Sequence, residues 1–285
     1  MNDAAVLSEE MAPPATGWAA ALDLRYELRG ERTVLARRRH HGPLCVQKSL
    51  HPEGPVCQSV IVHPPGGVVG GDELALSVEI GAGAHVQLTT PGATRWYRST
   101  GATARQSIAV RVYERGVGEW LPQEAIVFDG AMADCEIRVD LAEGASWFGW
   151  DIFCLGRRAA RERFEQGRLR QRLEVSRCGV PMWFERAILE AGTSRLAAMS
   201  GLRGQSVFGT LLASSTTISD ELLSSCRALG TIRGEVGVTR LPGLLVARYV
   251  GDSTEMARNY FTAIWALARP ALLGRAAVTP RIWST

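Results

Sequence analysis

Cys135-Glu136-Ile137-Arg138-Val139-Asp140-Leu141 alternates without a break: odd positions are apolar and even positions are charged. A period of two sends successive side chains to opposite faces of an extended chain, so this stretch predicts a half-buried β-strand. Ile108, Val110 and Val112, interleaved with Ala109 and Arg111, read the same way. So do Leu169, Leu173 and Val175, which share a face opposite Arg170, Arg172 and Glu174. Shorter candidates are Leu22–Leu28, Leu44–Lys48, Val56–Val62, Leu74–Ile80, His85–Thr90, Thr231–Val238 and Leu244–Val250. Gly and Pro punctuate the gaps about every ten residues. Regular short strands of this kind predict an all-β core: a sandwich, a barrel or a stacked-coil arrangement.

Two later segments carry helical spacing instead. Ser219 reads as a cap, Asp220 and Glu221 suit the positive end of a helix dipole, and Leu222, Leu223, Cys226 and Leu229 follow on one face, with Gly230 as the residue beyond the end. Asp252-Ser253-Thr254-Glu255 reads as a capping box with Asp252 as the cap. Met256, Tyr260, Ile264 and Leu267 then form an apolar stripe, which Pro270 is expected to end. The order is therefore strands first and two helices late. There is no 20–50-residue sequence repeat and no convincing linker, so residues 18–285 are expected to form a single domain. Residues 1–17, MNDAAVLSEEMAPPATG, read as a disordered tail without the basic and apolar regions of a secretory signal.

The 285 residues are 46% apolar and 21% charged, which excludes wholesale disorder. A net charge of +3 is too balanced for a nucleic-acid-binding module. No apolar run approaches the ~18 residues that span a bilayer, so a soluble, cytoplasmic chain is expected. The six cysteines show no C-x2–4-C spacing for a metal, and they read as reduced, packed side chains. The sequence has no G-x-S-x-G elbow and no H-E-x-x-H pair. The loop His63-Pro64-Pro65-Gly66-Gly67-Val68-Val69-Gly70-Gly71-Asp72 lacks the G-K-[ST] ending of a phosphate loop and is followed by a strand. Its glycines Gly66, Gly67, Gly70 and Gly71 are expected to permit positive φ or close approach to a neighbouring strand or protein. His40 and His41 are adjacent and would face opposite sides of a strand, so they do not chelate together. Acids among large apolar residues are more suggestive, because burying a lone carboxylate is costly. Asp151 lies between Trp150 and Ile152, Glu185 follows Met182-Trp183-Phe184, and Glu119, Glu124 and Asp129 flank the turn-like, exposed-looking stretch around Trp120-Leu121-Pro122.

Several longer motifs occur in a fixed order: HPPGGVVGGDEL at His63–Leu74, LTTPGATRWYRS at Leu88–Ser99, EWLPQEAIVFDGA at Glu119–Ala131, WDIFCLGR at Trp150–Arg157, FEQG at Phe164–Gly167 and RPALLGRAAVTPRIWST at Arg269–Thr285. Together they resemble the urease accessory protein UreD (UreH) family over nearly the whole chain. That resemblance implies a mostly β protein whose sheets stack in a β-helix-like arrangement, with two α-helices in the C-terminal half. It implies a non-catalytic chaperone that binds UreF directly and the GTPase UreG through it. The complex would dock on apo-urease and deliver nickel, through an internal polar passage, to the buried active site. Carried onto this chain, the resemblance implies Asp72, Asp151 and Glu185 as acids on the nickel path, with Thr94 as a polar neighbour. His63, at the head of the glycine loop, is added as a candidate. No permanently bound cofactor is implied. Nickel binds imidazole and thiolate more tightly than oxygen ligands, so sparse carboxylates suit transit. Two positions depart from the family pattern: Pro55 stands where some relatives carry an acid, with Glu53 nearby, and Arg158 stands where proline is usual.

Two other functions fit the same residues. One is a docking subunit through which no nickel passes. The other is a metal-dependent hydrolase built on Asp72, His63 and Asp151, which would bind metal tightly and turn over substrate alone.

Overall fold

The computed structural model describes residues 17–215, 218–230 and 233–284. The tail assigned to residues 1–17 therefore lies, apart from Gly17, outside the described residues, as do Thr231 and Ile232 at the head of one expected strand.

Alternation sets the architecture. The chain enters as an antiparallel hairpin of β1 (Ala19–Arg29) and β2 (Arg32–His41), followed by the short β3 (Cys45–Val46). It then winds through successive coils: β4 (Cys57–Val62), β5 (Gly67–Val68) and β6 (Glu73–Ile80); β7 (His85–Thr89), β8 (Thr94–Trp96) and β9 (Ala104–Val112); β10 (Val117–Leu121), β11 (Ala125–Val127) and β12 (Met132–Leu141); and β13 (Ser146–Leu155) with β14 (Arg168–Arg177). Equivalent strands of successive coils pair in parallel: β4, β7, β10 and β13 in one sheet and β6, β9, β12 and β14 in the other. The short β5, β8 and β11, with the end of β13, turn the corner between them. The arrangement is the expected β-helix-like stack.

Register aligns apolar side chains from coil to coil. Leu22, Leu76, Ile108, Ile137 and Leu173 are successive partners, as are Leu24, Val78, Val110, Val139 and Val175. All ten are buried. Each coil cannot bury its own inner face, so stacking supplies the core.

Antiparallel strands extend both sheets. β15 (Val180–Glu190) follows β14 through a tight turn and forms one edge of the seven-stranded sheet, whose other edge is β2. A one-turn α1 (Ser194–Ala197) leads to β16 (Val207–Ser214), α2 (Asp220–Ala228), β17 (Glu235–Leu241), β18 (Leu244–Gly251) and α3 (Thr254–Leu273). β16 pairs β13, and β18 lies between β16 and β17. α2 and α3 cover the outer face of this larger sheet, where Phe148, Trp150, Leu211 and Tyr249 meet Tyr260, Phe261, Ile264 and Trp265.

Four local expectations need correction. Val117–Leu121 is not an exposed turn but a central strand covered on both faces, with Glu119 fully buried. Pro270 does not end α3. The helix runs three residues further, to Gly274 at φ +65, whose N–H donates to the Pro270 carbonyl. The cap of α3 is Ser253, whose Oγ accepts the Met256 N–H at 3.2 Å, rather than Asp252. Ser219 caps α2 as expected, but Gly230 does not take a left-handed conformation, because Leu229 closes that helix in an extended one. Replacing Ser253 with alanine should lower unfolding stability by ~1 kcal/mol, measured by denaturant titration. An unchanged stability would exclude this cap.

Candidate functional site

The two sheets do not close completely at the corner strands. A cavity of about 250 Å³ opens there, walled by aliphatic and aromatic side chains, by His63, Thr94 and Asp151, and by other polar residues that include Arg95, Glu136 and Gln106. Three separate elements deliver the first three of these polar groups. His63 follows β4, Thr94 opens β8, and Asp151 lies on β13. β13 alternates strictly, although both of its faces are buried: Trp150 and Ile152 join the helix-side core while Asp151 and Phe153 line the cavity.

Asp151 has no cationic side chain paired to it among the described residues. Burial raises its carboxyl to about 7, the negative charge of Glu185 adds to the rise, and the nearby Trp120 indole N–H offsets part of it. That indole does not reach full hydrogen-bond geometry. Next to Asp151 in register stands Thr210 of β16, and next to Thr210 stands Arg248 of β18. Glu185, from β15 of the facing sheet, closes on this row. Its Oε1 accepts from Arg248 Nη1 at 2.8 Å and from Thr210 Oγ1 at 3.4 Å, while its Oε2 is buried without a partner. A polar seam therefore runs from the half-exposed Arg248 through Glu185 and Thr210 to Asp151.

His63 stands on another wall. Burial lowers its imidazole below the ordinary value, and the charge of Asp72 only partly restores it, so the ring is neutral near pH 7. Its Nδ1 is buried and unpartnered. Cys135 also lines the cavity, but burial, followed by the charges of Asp151 and Asp134, holds its thiol well above the ordinary range. It supplies no thiolate at neutral pH.

Asp72 lies outside the cavity wall. Its Oδ1 accepts the Trp18 N–H at 2.8 Å and its Oδ2 the Val69 N–H at 2.9 Å, so the carboxylate ties the glycine loop to the chain entering β1. Within that loop Gly66 and Gly71 take positive φ. Gly67 lies against the Tyr97 ring and Gly70 against Ser99, where any Cβ would collide. The structure thus brings His63, Gly66, Thr94 and Asp151 to one cavity. It places Glu185 beside Asp151 through the seam and Asp72 beside His63. Among the described residues, no three His, Cys, Asp or Glu side chains are arranged to hold a metal ion.

A second buried polar group was not legible as a unit. Glu119 is fully buried on β10, and its carboxylate accepts from His85 Nε2 at 2.7 Å, Trp265 Nε1 at 2.7 Å and Arg269 Nη2 at 2.9 Å. Arg269, also fully buried, reaches Glu53 at 2.7 and 2.9 Å and the Ala276 carbonyl. Glu53 is thereby committed to an ion pair. Trp283 of the C-terminal motif donates to Thr89 Oγ1 at 2.8 Å. This network bolts α3 and the segment after it onto the coils.

The unpaired carboxyl has a thermodynamic consequence. An acid whose native value is raised favours the native state when protonated. That stability is full below its unfolded value near 4 and is lost as pH rises through about 7. Asp151→Asn should therefore be more stable than the parent by up to about 4 kcal/mol above pH 7, with the gain fading toward pH 4. Denaturant titrations at several pH values check this, and a pH-independent difference would contradict it.

Comparison with known proteins identifies the fold's relatives. Residues 19–284 match the family model described as UreD urease accessory protein. The chain is 50% identical over 273 residues to "Urease accessory protein UreD" of Dechloromonas aromatica (strain RCB), covering 94% of this chain and 95% of that protein. It is 49% identical over 270 residues to the protein of that name from Azoarcus sp. (strain BH72), with coverage of 94% and 95%. It is 48% identical over 281 residues to that from Nitrosococcus oceani, with coverage of 96% and 95%.

Proposed function

The chain belongs to the UreD family of urease accessory proteins, and on that basis we propose that it serves urease maturation as a non-catalytic scaffold whose inter-sheet cavity passes nickel toward apo-urease. Asp151 carries this reading. A desolvated carboxyl with no cationic partner costs stability, and such a cost is characteristic of functional groups. A divalent cation entering the cavity would neutralise that charge and favour its ionised form. Thr94 Oγ and the neutral His63 ring offer two further, separated ligands. Asp72 acts at one remove by fixing the glycine loop and placing a negative charge beside His63. Glu185 and Thr210 extend the polar line toward the surface at Arg248. Ligands spread along a path hold nickel more weakly than a converging cage, so the ion can be released.

The scaffold acts in a cytoplasmic complex, with UreF bound directly, UreG through UreF, and apo-urease as the recipient. Urease expressed with nickel and the other accessory proteins but without this chain should remain inactive, and adding the chain should restore activity. Full activity without it would contradict the proposal.

A further inference from the structure

We propose that Arg248 closes the outer end of the polar seam as a tethered cation. Its guanidinium holds the place at Glu185 that a divalent ion takes in passing, and the ion enters by displacing it into solvent. This role rests on the cavity as the nickel route and makes Arg248 the gate and charge filter of that route.

The seam is a single row. Asp151, Thr210 and Arg248 are register partners on one face of β13, β16 and β18. The rows on either side carry no charge: Phe153, Phe208 and Val250 form one, and Gly149, Leu212 and Val246 the other. A cation moving outward from Asp151 therefore has one line of polar side chains to follow. Adjacent strands stand roughly 4.8 Å apart, so the Arg248 backbone lies roughly 10 Å from that of Asp151. The next residue in register is Gly237 of the edge strand β17, which has no side chain. The row ends at Arg248.

The guanidinium is held as a latch rather than a bolt. Its side chain is 52% exposed, and among the described residues its one ion partner is Glu185, at 2.8 Å. The Trp183 ring lies 5.5 Å from it, so cation–π attraction guides it to this position. Arg269, by contrast, is fully buried between Glu53 and Glu119. A half-exposed ion pair adds little net stability, so releasing Arg248 costs little.

Glu185 has room for another occupant. Its side chain is only 13% exposed, and while Oε1 faces Arg248, Oε2 is buried without a partner. One guanidinium thus stands against two carboxyl groups, Glu185 and Asp151. A divalent ion carries the charge to match both, whereas a monovalent ion brings no more than the guanidinium already supplies. Displacement therefore selects for doubly charged ions.

Phenylglyoxal labelling of the full chain tests the gate, with the labelled arginines located by peptide mass spectrometry. Nickel chloride should raise the labelling rate of Arg248 at least about twofold, as expected when an ion-paired arginine becomes mostly free. Potassium chloride at the same ionic strength should not, and Arg38 on the exposed run of β2 should respond to neither. In Glu185→Gln, Arg248 should label at the faster rate with or without nickel. Nickel binding, read by titration calorimetry, should tighten at least about tenfold in Arg248→Met and revert when Glu185→Gln is added. Arg248 is half-exposed, so its variant should keep the parent's circular dichroism, and labelling of the parent needs no variant. Arg248 labelling that ignores nickel, or that potassium raises equally, would overturn the gate. So would tighter binding that persists without Glu185. Gate and route fail separately: without the gate, urease loading still depends on Asp151, and without the route, nickel still frees Arg248 although loading ignores the cavity.

Discussion

Arg269→Ala should cost about 3–5 kcal/mol, because breaking a buried ion pair strands the charge left behind. Here it strands two, Glu119 and Glu53, under a helix whose other anchor is Trp265. Small domains are stable by only about 5–15 kcal/mol, so the variant should unfold at much lower denaturant. The pH dependence gives a second handle. Burial pushes Glu119 up, but the hydrogen bond and charge of His85, with Arg269, outweigh it and hold the carboxyl below its ordinary 4.5. Its contribution in the parent is full above pH ~4.5 and is lost as pH falls through the lowered native value. Without Arg269 the carboxyl should rise, so the variant's deficit should shrink between pH 8 and pH 5.5. Glu119→Gln combined with Arg269→Met should recover part of the loss, since apolar or neutral replacement of a whole buried pair is tolerated better than removal of half. A single-variant loss below ~1 kcal/mol would show that the network does not hold the helix layer.

Asp151→Ala should separate folding from function. The chain should fold, assemble with its partners and lose none of its stability above pH 7, yet activate urease at limiting nickel at least about tenfold less, equivalent to ~1.4 kcal/mol of cation stabilisation. Asp151→Asn keeps the shape and removes the charge, so it should behave alike, whereas Asp151→Glu should retain part of the activity. A gain in stability with a loss of activation is expected of a group kept for function. Urease activity per unit of co-purified complex is the readout. Normal activation by both neutral variants would leave the docking subunit as the better reading, a reading that the backbone-bonded Asp72 already favours at its own position.

The sequence was readable where one face of a strand meets solvent. β9, β12 and β14 form one such sheet, and their alternation is plain. β13 was not read as a strand, because SWFGWDIFCL is apolar almost throughout: one face packs on the other sheet and the other on α3. β15 and β16 were missed for related reasons, one carrying apolar residues outward and the other buried nearly throughout. Structurally equivalent Leu76, Ile108, Ile137 and Leu173 recur at uneven intervals of 32, 29 and 36 residues, so the coils leave no sequence repeat. The acids were singled out because burying them is costly, and Asp151 does lie on a cavity wall where burial raises its carboxyl. That cost alone could not separate the unpaired Asp151 from the hydrogen-bonded Asp72 or the ion-paired Glu185, because partners such as Trp18 and Arg248 are distant in sequence. Glu119 and Arg269 are 150 residues apart and were invisible as a pair for the same reason.

Nickel transfer through a reversibly blocked cavity would decide the matter. Thr94→Cys places a thiol on the cavity wall, where a small methanethiosulfonate reagent can fill the space and a phosphine reductant can clear it. The purified accessory complex would be treated and freed of reagent, then mixed with apo-urease and nickel, with the parent chain treated alike. Nickel per urease active site, counted by mass spectrometry, should fall to background when the thiol is capped and return on reduction. Undiminished nickel loading with the cavity filled would contradict a route through it.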